Sequence, residues 1–367
     1  MKKTVIDKTI LFYINTISGG GAERVILQLA CHFSQEGYRA VLVTSFIEEG
    51  REYPVPDGVI RLSLEHEEIK QSRLMRNVTR IHKLRAIIKQ EKPAVVIAFM
   101  TEPIFRASIA TIGIPVKIVF SIRNDPAIEH SKGSGYFVGK YIIPRADGIV
   151  FQTENAKAWF PPEVQKKSAV ILNEVSTTFF GVQRAEKTKS IVTFGRLVNQ
   201  KNHKLLIDAF AQIAGRYPEE ELLIYGCGEL RDALQTQIDD LDLTDRVKLM
   251  GATDQVPQIL AQSKVFVLSS DYEGMPNALM EAMAVGVPCI STDCPCGGPK
   301  TLIEDGTDGL LVPVGDTQAM AGAIDLLLGD GALAKRMGEA ARISAKRFEP
   351  DKVFEQWKGF VEQIYAK

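Results

Sequence analysis

The chain has 367 residues, of which 45% are hydrophobic, and its 44 basic side chains nearly balance 45 acidic ones. This length favours two domains over one, and the hydrophobic content is ordinary for a folded protein with a sizeable core. The net charge of −1 excludes a general electrostatic attraction to nucleic acid, so we expect no nucleic-acid partner.

The cysteines and the apolar runs bear on the compartment. Five cysteines at irregular spacing favour reduced thiols over a disulfide framework. The start, MKKTVIDKTILFYINT, is interrupted by charged residues and lacks the apolar length of a signal peptide. No apolar run approaches the ~20 residues that cross a bilayer. We therefore expect a cytoplasmic protein, either soluble or peripheral on the inner face of the cell membrane.

Short runs rich in valine and isoleucine alternate with helical patterns along the chain. Nearly continuous apolar runs of this kind are typical of parallel strands that helices cover on both faces. The first set of predicted strands is ILFYIN (10–15), AVLVTS (40–45), AVVIAFM (94–100), KIVFSI (117–122) and GIVFQT (148–153). The second set is SIVTFG (190–195), ELLIYG (221–226), RVKLMG (246–251), VFVLSS (265–270), PCISTD (288–293) and GLLVPV (309–314).

A polar stretch without a clear period, EVSTTFFGVQRAEKTKS (174–190), separates the two sets and is typical of a linker. The pattern predicts an α/β protein with two doubly wound, Rossmann-like domains. We place the first domain at residues 1–180, the second at 181–348 and a terminal helix at 349–367. In such a pair the ligand usually lies in the cleft between the domains, at the carboxyl ends of the strands.

Three consecutive glycines, Gly19, Gly20 and Gly21, follow the first predicted strand and open a helix. Glycine at this place lets backbone N–H groups approach a phosphate at the helix N-terminus. A tight turn without a ligand is equally compatible with the pattern. The spacing is not G-x-G-x-x-G, and no acidic residue clearly marks a ribose site about 20 residues on, which disfavours a dehydrogenase.

Two cations follow the first strand of the second set, in FGRLVNQKNH (194–203). Arg196 comes directly after the strand, and Lys201 comes just before a helix. A fork-shaped guanidinium and a point-charge ammonium at a strand-to-helix turn suit a diphosphate. The alternative is that both are solvated loop cations.

Two carboxylates stand in a segment that is otherwise mostly small or apolar, YEGMPNALMEAMAVGVP (272–288). Glu273 falls in the predicted loop and Glu281 in the helix that follows, within about 80° of the same helical face. The amides gathered at the helix start suit a polar or anionic ligand. They belong to Gly274, Met275, Asn277 and Ala278.

A structural explanation of these carboxylates is also available. Glu273 would cap the helix, and Glu281 would reach solvent. The neighbours of Glu281 leave little polar face, which argues against that explanation, because a buried carboxylate without a partner is costly. A carboxylate that faces a ligand site can instead accept two hydroxyls of a ribose or a hexose.

The stretch EGMPNALMEAMAVGVP resembles the E-x7-E signature of retaining glycosyltransferases of family four, which have the GT-B fold. Other segments agree with that family in order along nearly the whole chain, most strongly from about 190 to 316. They are SGGGAER, GRLVNQKNH, IYGCGEL (224–230), RVKLMGAT (246–253) and IEDGTDGLLVPVGD (303–316).

The resemblance implies that a nucleotide-sugar donor lies in the cleft, against the second domain. Arg196 and Lys201 would hold its diphosphate and stabilise the departing charge. Glu281 would take the ribose hydroxyls, and Glu273 would contact the transferred sugar near the amides from Gly274 to Leu279. First-domain amides of Gly20 and Gly21 would reach the phosphate.

The resemblance has further implications for the reaction and the fold. Such enzymes retain the anomeric configuration by same-face attack, and protein cations replace a metal, so we expect no metal and no cofactor. The last helix would cross back to the first domain, where Phe354, Trp357 and Phe360 would find an apolar surface. The stretch STDCPCGGPKTLIEDG (291–306) resembles the subset that transfers hexoses or N-acetylhexosamines from uridine diphosphate donors.

The sequence departs from the family on the acceptor side. Many members carry a histidine where this chain reads FSIRNDPAIEH (120–130). Arg123 or Asn124 occupies that position here, and arginine cannot accept a proton. Arg123 could instead bind an acceptor phosphate, with Asp125 as a polar partner.

The segment KQSRLMRNVTRIHKLRAIIKQEK (70–92) is basic and amphipathic. It shows an apolar stripe of Leu74, Val78, Ile81, Leu84 and Ile88 and a basic face of Arg73, Arg76, Arg80 and Lys83. The basic face could bind anionic headgroups of a membrane that holds a lipid-linked acceptor. The alternative is an ordinary first-domain helix whose charged face is solvated.

Three kinds of function fit these observations. The first is a retaining glycosyltransferase that moves a hexose or N-acetylhexosamine to a glycan or lipid-linked acceptor in bacterial surface polysaccharide or glycoconjugate synthesis. The second is another enzyme on the same fold, such as a nucleotide-sugar epimerase. The third is a non-catalytic subunit that binds a nucleotide-sugar.

Overall fold

The structure is a computed structural model that describes residues 8–48, 50, 52–65, 72–185 and 189–366. It divides into two compact units. The first contains the residues up to Asn173 and those from Val353 onward, and the second runs from Glu174 to Lys352. The domain boundaries predicted after residues 180 and 348 stay predictions.

The first unit is built on a parallel sheet of seven strands in the order β3-β2-β1-β4-β5-β6-β7. The strands are β1 (Thr9–Ile14), β2 (Arg39–Thr44), β3 (Val59–Ser63), β4 (Val95–Phe99), β5 (Lys117–Ser121), β6 (Gly148–Phe151) and β7 (Ser168–Val170). Five of them match the predicted strands. The two that the sequence analysis missed, β3 and β7, are the edges of the sheet and are only partly buried. Edge strands carry a weaker apolar signal, since solvent reaches one side of them.

Helices connect these strands, as the alternating pattern predicted. They are α1 (Gly21–Gln35), α2 (Arg73–Glu91), α3 (Thr101–Ala110), α4 (Pro126–Glu129), α5 (Gly133–Phe137), α6 (Glu154–Ala158) and α7 (Pro162–Gln165). A π-helical turn and a 3-10 turn extend α5 as far as Arg145. The central strands β1 and β4 are almost wholly buried, because helices cover both faces of the sheet.

The second unit has a parallel sheet of six strands in the order β10-β9-β8-β11-β12-β13. The strands are β8 (Lys189–Phe194), β9 (Leu222–Tyr225), β10 (Val247–Gly251), β11 (Ser263–Leu268), β12 (Cys289–Thr292) and β13 (Leu310–Val312). The helices are α8 (Thr177–Gly181), α9 (His203–Ile213), α10 (Arg231–Asp240), α11 (Val256–Gln262), α12 (Asn277–Val285), α13 (Gly298–Leu302), α14 (Thr317–Gly329) and α15 (Gly331–Ser344). All six strands of the second predicted set are present.

The last helix, α16 (Pro350–Tyr365), packs against the first unit. The ring of Phe354 lies 5.1 Å from that of Phe33, and the ring of Trp357 lies 6.0 Å from that of Phe99, measured between centroids. Both residues belong to the core of the first unit, and Phe360 is partly buried against it. This confirms that the helix returns to the first unit.

The helix α2 differs from its predicted organisation. The apolar stripe is buried only in its second half, because Leu74 is 77% exposed and Val78 42% exposed while Leu84 and Ile88 are fully buried. Arg80, which the helical pattern placed on the basic face, is buried and ion-paired to Glu65. Residues 70 and 71 and the side chain of Arg73 lie outside the described part of the chain.

Among the described residues, no helix is both long enough and apolar enough to cross a bilayer.

Candidate active site

The strand order of the second unit reverses between β8 and β11, which are neighbours in the sheet although two strands separate them in the chain. In open parallel sheets, ligands bind outside the carboxyl ends of the strands at such a reversal. The segment after β8 carries Arg196 and Lys201, and the segment after β11 carries Glu273. The topology therefore brings together the two motifs that the sequence analysis treated separately.

Side-chain and backbone hydrogen bonds join the two segments. The Ser269 hydroxyl donates to the Lys201 carbonyl at 2.9 Å, and the Asp271 amide donates to the Gln200 carbonyl at 2.9 Å. The Asn202 side-chain amide donates to the Asp271 carboxylate at 2.7 Å. These bonds hold the backbone of Lys201 in a fixed position beside the loop that contains Glu273.

Lys201 and Glu273 form an ion pair at this edge of the sheet. The Ser270 hydroxyl donates to the same oxygen of Glu273 at 2.7 Å. The Lys201 stem crosses close to Gly195, where a Cβ would lie 3.2 Å from the Lys201 Cδ. Glycine at position 195 thus leaves room for the lysine to reach Glu273. The side chain of Glu273 is 8% exposed and that of Lys201 17% exposed, so solvent reaches the cation more than the anion.

Arg196 lies at the same edge with an exposed side chain and a fixed backbone. The Nε2–H of His203 donates to the Arg196 carbonyl, with 3.2 Å between the two atoms. Burial lowers the pKa of His203 to about 4, so the imidazole is neutral near pH 7. A neutral imidazole that donates from Nε2 supports the turn without adding charge to the site.

The helix α12 begins at Asn277, directly after Pro276, and ends at Val285, where Gly286 caps it with φ of 84°. Glu281 lies in its middle and is 6% exposed, as is Glu273. The two glutamates are therefore both buried, and the interpretation in which Glu281 reaches bulk solvent is wrong. The first helical residues, Asn277 and Ala278, remain partly exposed, so the amides of this turn lie at the accessible end of the helix.

The sequence analysis missed the residues that support this loop from behind. A Cβ on Gly298 would lie 1.9 Å from the Gly274 carbonyl oxygen, so α13 packs directly against the Glu273 loop. The Thr292 hydroxyl donates to the Ser270 carbonyl at 2.5 Å, and the Cys294 thiol approaches the same oxygen at 3.3 Å. The doubled glycine in CPCGGPK was the only local signal of such a close approach.

The glycine turn of the first unit has a different environment from the one expected. Gly19 adopts φ of 59°, Gly20 precedes α1 and Gly21 is its first residue. The Glu23 carboxylate lies against Gly20, with Oε2 1.9 Å from the place of a Cβ. A phosphate at Gly20 would have to displace this carboxylate. The assignment of Gly20 and Gly21 to the donor stays a prediction.

Arg123 is buried at the carboxyl end of β5. Its Nη2 donates to the Asn173 side-chain oxygen at 2.5 Å, and its guanidinium lies 4.8 Å from the centroid of Phe99. Burial lowers the pKa of Arg123 to about 9, against the opposing effect of Glu23. Asp125 was expected as a polar partner of Arg123. Its carboxylate instead accepts the Ala127 amide at 2.9 Å and caps α4.

Asn124 is only partly buried, next to Arg123. It hydrogen-bonds to Glu129, whose pKa burial raises. His130, the nearest histidine in sequence, is buried, and its Nδ1 lies 3.1 Å from the Gly135 carbonyl. His130 is therefore held in the interior, and the acceptor-side roles of Arg123 and Asn124 stay predictions.

The Asp240-Leu241-Asp242 triplet, a D-x-D pattern, lies at the end of α10 and in the loop that follows. Across the described residues, no three histidine, cysteine or carboxylate side chains are grouped closely enough to hold a metal ion. The metal independence of the reaction stays a prediction.

The two doubly wound units match solved structures of one class of fold. A structure of Anabaena HepE in complex with UDP and glucose aligns with a TM-score of 0.83 and 20% identity, covering 97% of this chain and 100% of that one. This similarity identifies the fold as GT-B.

Family comparisons agree with the fold. Residues 175–344 match the family described as glycosyl transferases group 1, and residues 19–179 match glycosyltransferase family 4. Together the two matches span most of the chain. The two family matches and the GT-B fold support a glycosyltransferase of the family-four type.

Curated bacterial relatives were also found. One is the Campylobacter jejuni alpha-1,4-N-acetyl-D-galactosaminyltransferase that acts on an undecaprenol-diphosphate-linked glycan, 27% identical over 97% of this chain and 98% of that protein. Another is an exopolysaccharide phosphotransferase of Streptomyces coelicolor, 34% identical over 61% of this chain. This chain covers 24% of the length of the Streptomyces protein.

Proposed function

We propose that this glycosyltransferase transfers a hexose or N-acetylhexosamine from a UDP-sugar to a glycan or lipid-linked acceptor, with retention of the anomeric configuration. The observation that carries the proposal is the ion pair of Lys201 and Glu273 at the strand-order reversal of the second unit, followed along the chain by the buried Glu281 of α12. The UDP bound to HepE and the lipid-linked acceptor of the Campylobacter relative support the choice of substrates.

The two cations would act on the leaving group. Cleavage of the sugar–phosphate bond develops negative charge on the departing diphosphate, and positive groups placed in advance lower the energy of that state. The exposed Arg196 offers two parallel N–H donors to phosphate oxygens, and Lys201 offers a point charge. Because these cations can supply the electrostatic stabilisation, we propose that turnover needs no metal ion.

The two glutamates would bind the sugars of the donor. Glu281 would accept the ribose hydroxyls, and Glu273 would contact the transferred sugar, with the amides of Gly274, Met275, Asn277, Ala278 and Leu279 close to the donor. The ion pair with Lys201 and the hydrogen bond from Ser270 orient the Glu273 carboxylate, whose oxygens can accept hydrogen bonds from sugar hydroxyls. This arrangement suits the E-x7-E signature that the sequence resembles.

The reaction would proceed on one face of the donor sugar. We propose that the acceptor hydroxyl attacks from the side on which the diphosphate leaves, so that the diphosphate oxygens themselves take up the proton. Such a route does not need the acceptor-side histidine that is replaced here by Arg123 or Asn124. We also propose that the segment 70–92 binds the protein to the inner face of the cell membrane.

The two other kinds of function are less well supported. An epimerase needs acid–base groups at the sugar and no acceptor, whereas the named relatives are transferases. A subunit that only binds a nucleotide-sugar would not need Lys201 and Glu273 in an ion pair held by several hydrogen bonds from both loops.

The melting temperature of the purified chain, measured with and without UDP, GDP, ADP, their sugars and the dinucleotide NAD, tests the proposal. A ligand that binds only the folded state raises the melting temperature. We expect a rise with UDP and at least one UDP-sugar, unchanged by EDTA. A rise only with a dinucleotide, or with none of these nucleotides, contradicts the proposal, and a rise abolished by EDTA contradicts its metal independence.

A further inference from the structure

A cavity of about 380 Å³ lies in the first unit, between the beginnings of α2 and α3. It falls within the ~300–1,000 Å³ typical of small-ligand pockets. Five polar or charged residues line it, three of them arginines. They are Arg76, Asn77, Arg80, Glu102 and Arg106.

Arg106 is the most deeply placed of these residues. It is 2% exposed, and its Nη1 donates to the Asn15 side-chain oxygen at 2.7 Å. Its Nε donates to the Asn77 side-chain oxygen at 2.9 Å, and its Nη2 donates to the Glu102 carboxylate at 2.8 Å. Bonds from three elements therefore fix the guanidinium in one orientation.

Arg80 is also buried, and it is held by a different set of partners. Its Nη2 donates to the Glu65 carboxylate at 2.6 Å, and its guanidinium lies 5.4 Å from the centroid of Phe46. Its Nε is buried, with no hydrogen-bond partner among the described residues. A buried guanidinium N–H that lacks an acceptor carries a free-energy cost, which an anionic ligand could offset.

Guanidinium groups outnumber carboxylates in the lining of the pocket. Arg76, Arg80 and Arg106 line it together with one carboxylate, that of Glu102, and the Glu65 carboxylate pairs with Arg80. The Glu102 side chain is 49% exposed at the pocket, so water already screens part of its charge. Guanidinium groups form parallel hydrogen bonds to phosphate oxygens, which makes a phosphate group the ligand that this lining suits best.

The position of the pocket also points to a ligand site. The order of the first sheet reverses between β1 and β4. Asn15 directly follows β1, and α3, which carries Glu102 and Arg106, follows β4. The pocket thus adjoins the reversal at the carboxyl ends of the strands, the general place for ligands in this type of sheet.

We infer that this pocket binds a phosphate or diphosphate group carried by the acceptor. The assignment of this phosphate to the acceptor rests on the proposed function, whereas phosphate binding itself is inferred from the lining of the pocket. The phosphate could belong to a lipid diphosphate or to a soluble phosphorylated glycan, because both present the same oxygens. The pocket would hold the acceptor by its charged end while the sugar hydroxyl reacts elsewhere.

The first experiment titrates inorganic diphosphate into the full chain by calorimetry, with UDP present to fill the donor site. The variant Arg76→Gln removes a partly exposed pocket cation, and Lys89→Gln removes an exposed cation of the same helix at least three turns away. We expect Arg76→Gln to weaken binding about tenfold or more, and Lys89→Gln to leave it unchanged. Equal affinity in the wild type and Arg76→Gln overturns the inference.

A second variant should change the affinity for diphosphate in the opposite direction. Glu102→Gln removes negative charge from the pocket and should tighten diphosphate binding. A role confined to structural support would not improve binding, so weaker or unchanged affinity in Glu102→Gln counts against the site. A separate titration with UDP alone reports the donor site. If UDP fails to bind, the proposed function fails, while the effect of Arg76→Gln on diphosphate still tests the pocket.

A vesicle assay distinguishes the two sources of phosphate. Phosphatidylcholine vesicles with a polyprenyl diphosphate are compared with plain phosphatidylcholine vesicles by co-sedimentation of the chain. Capture only by the diphosphate vesicles, lost in Arg76→Gln and kept in Lys89→Gln, supports a lipid acceptor. Binding of inorganic diphosphate without vesicle capture supports a soluble one. Binding of neither probe overturns the inference.

Discussion

Lys201 and Glu273, 72 positions apart in the chain, form an ion pair at the carboxyl ends of β8 and β11. The pair places the lysine ammonium and the glutamate carboxylate together at the strand-order reversal. Both partners are mostly buried, so the removal of either one leaves the other charge poorly compensated. This relationship is the structural centre of the proposed donor site.

Replacement of Lys201 by glutamine should lower kcat/KM for the UDP-sugar at least tenfold, about 1.4 kcal/mol, because charge stabilisation of the leaving diphosphate is lost. The release of UDP, measured with a coupled assay, reports this change. Lys204→Gln is the matched control, since Lys204 is an exposed lysine on α9. Turnover that is equal in Lys201→Gln and in the wild type would remove Lys201 from the active site.

Glu281→Gln should weaken UDP binding by about tenfold, because a carboxylate that accepts two ribose hydroxyls is replaced by an amide. A comparison with 2′-deoxy-UDP makes the test specific. The wild type should prefer UDP clearly, and the variant should distinguish the two nucleotides much less. If the variant keeps the full preference for UDP, Glu281 does not bind the ribose.

Gly298→Ala should disturb the donor loop from behind. The added Cβ meets the Gly274 carbonyl oxygen at 1.9 Å, so the backbone of one segment must move. We expect UDP binding to fall together with the melting temperature. Gly322→Ala is the control, because its Cβ would meet no atom within 4 Å and alanine favours the interior of α14. Unchanged UDP affinity in Gly298→Ala would show that this packing does not position the loop.

The stability of the second unit should depend on pH through His203. Its pKa is about 4 in the folded chain and ordinarily about 6.5, so between these values the unfolded state binds more protons. The contribution of His203 is complete above about pH 6.5 and is lost as the pH falls toward 4, by about 2–3 kcal/mol.

Urea unfolding at several pH values measures this effect. Burial also lowers the pKa of His130, in the first unit, which acts in the same direction. The test is therefore a comparison between variants. His203→Gln should show a flatter decline in unfolding free energy below pH 6.5, whereas His82→Gln, an exposed change on α2, should retain the wild-type decline. Identical profiles in the wild type and His203→Gln would contradict the assignment.

The sequence alone predicted the parts of the molecule that depend on local patterns. Runs such as AVVIAFM and VFVLSS carry enough apolar residues to identify buried strands, and the buried surroundings of Glu281 followed from its neighbours. The edge strand β3, with its arginine at position 61, lacks such a run, because its side chains are only partly buried.

The remaining features arise from tertiary packing. Arg106 looks like an ordinary helical residue in TEPIFRASIA, and its partners Asn15 and Asn77 come from distant segments. Likewise, the close approach of Gly298 to Gly274 depends on how α13 meets the donor loop. Helical periodicity placed Arg80 on the basic face of α2, but Arg80 is buried and ion-paired to Glu65. Helical periodicity contains no information about such partners.

Hydrogen–deuterium exchange of the full chain with and without UDP tests the central claim most directly, because it shows where the nucleotide binds. The account predicts slower exchange in the amides of residues 195–202 and 269–281, which contain Arg196, Lys201, Glu273 and Glu281. Lys201→Gln should reduce this protection at equal UDP concentration. Protection that avoids both segments, or that is confined to the first unit, would contradict the assignment of the donor site.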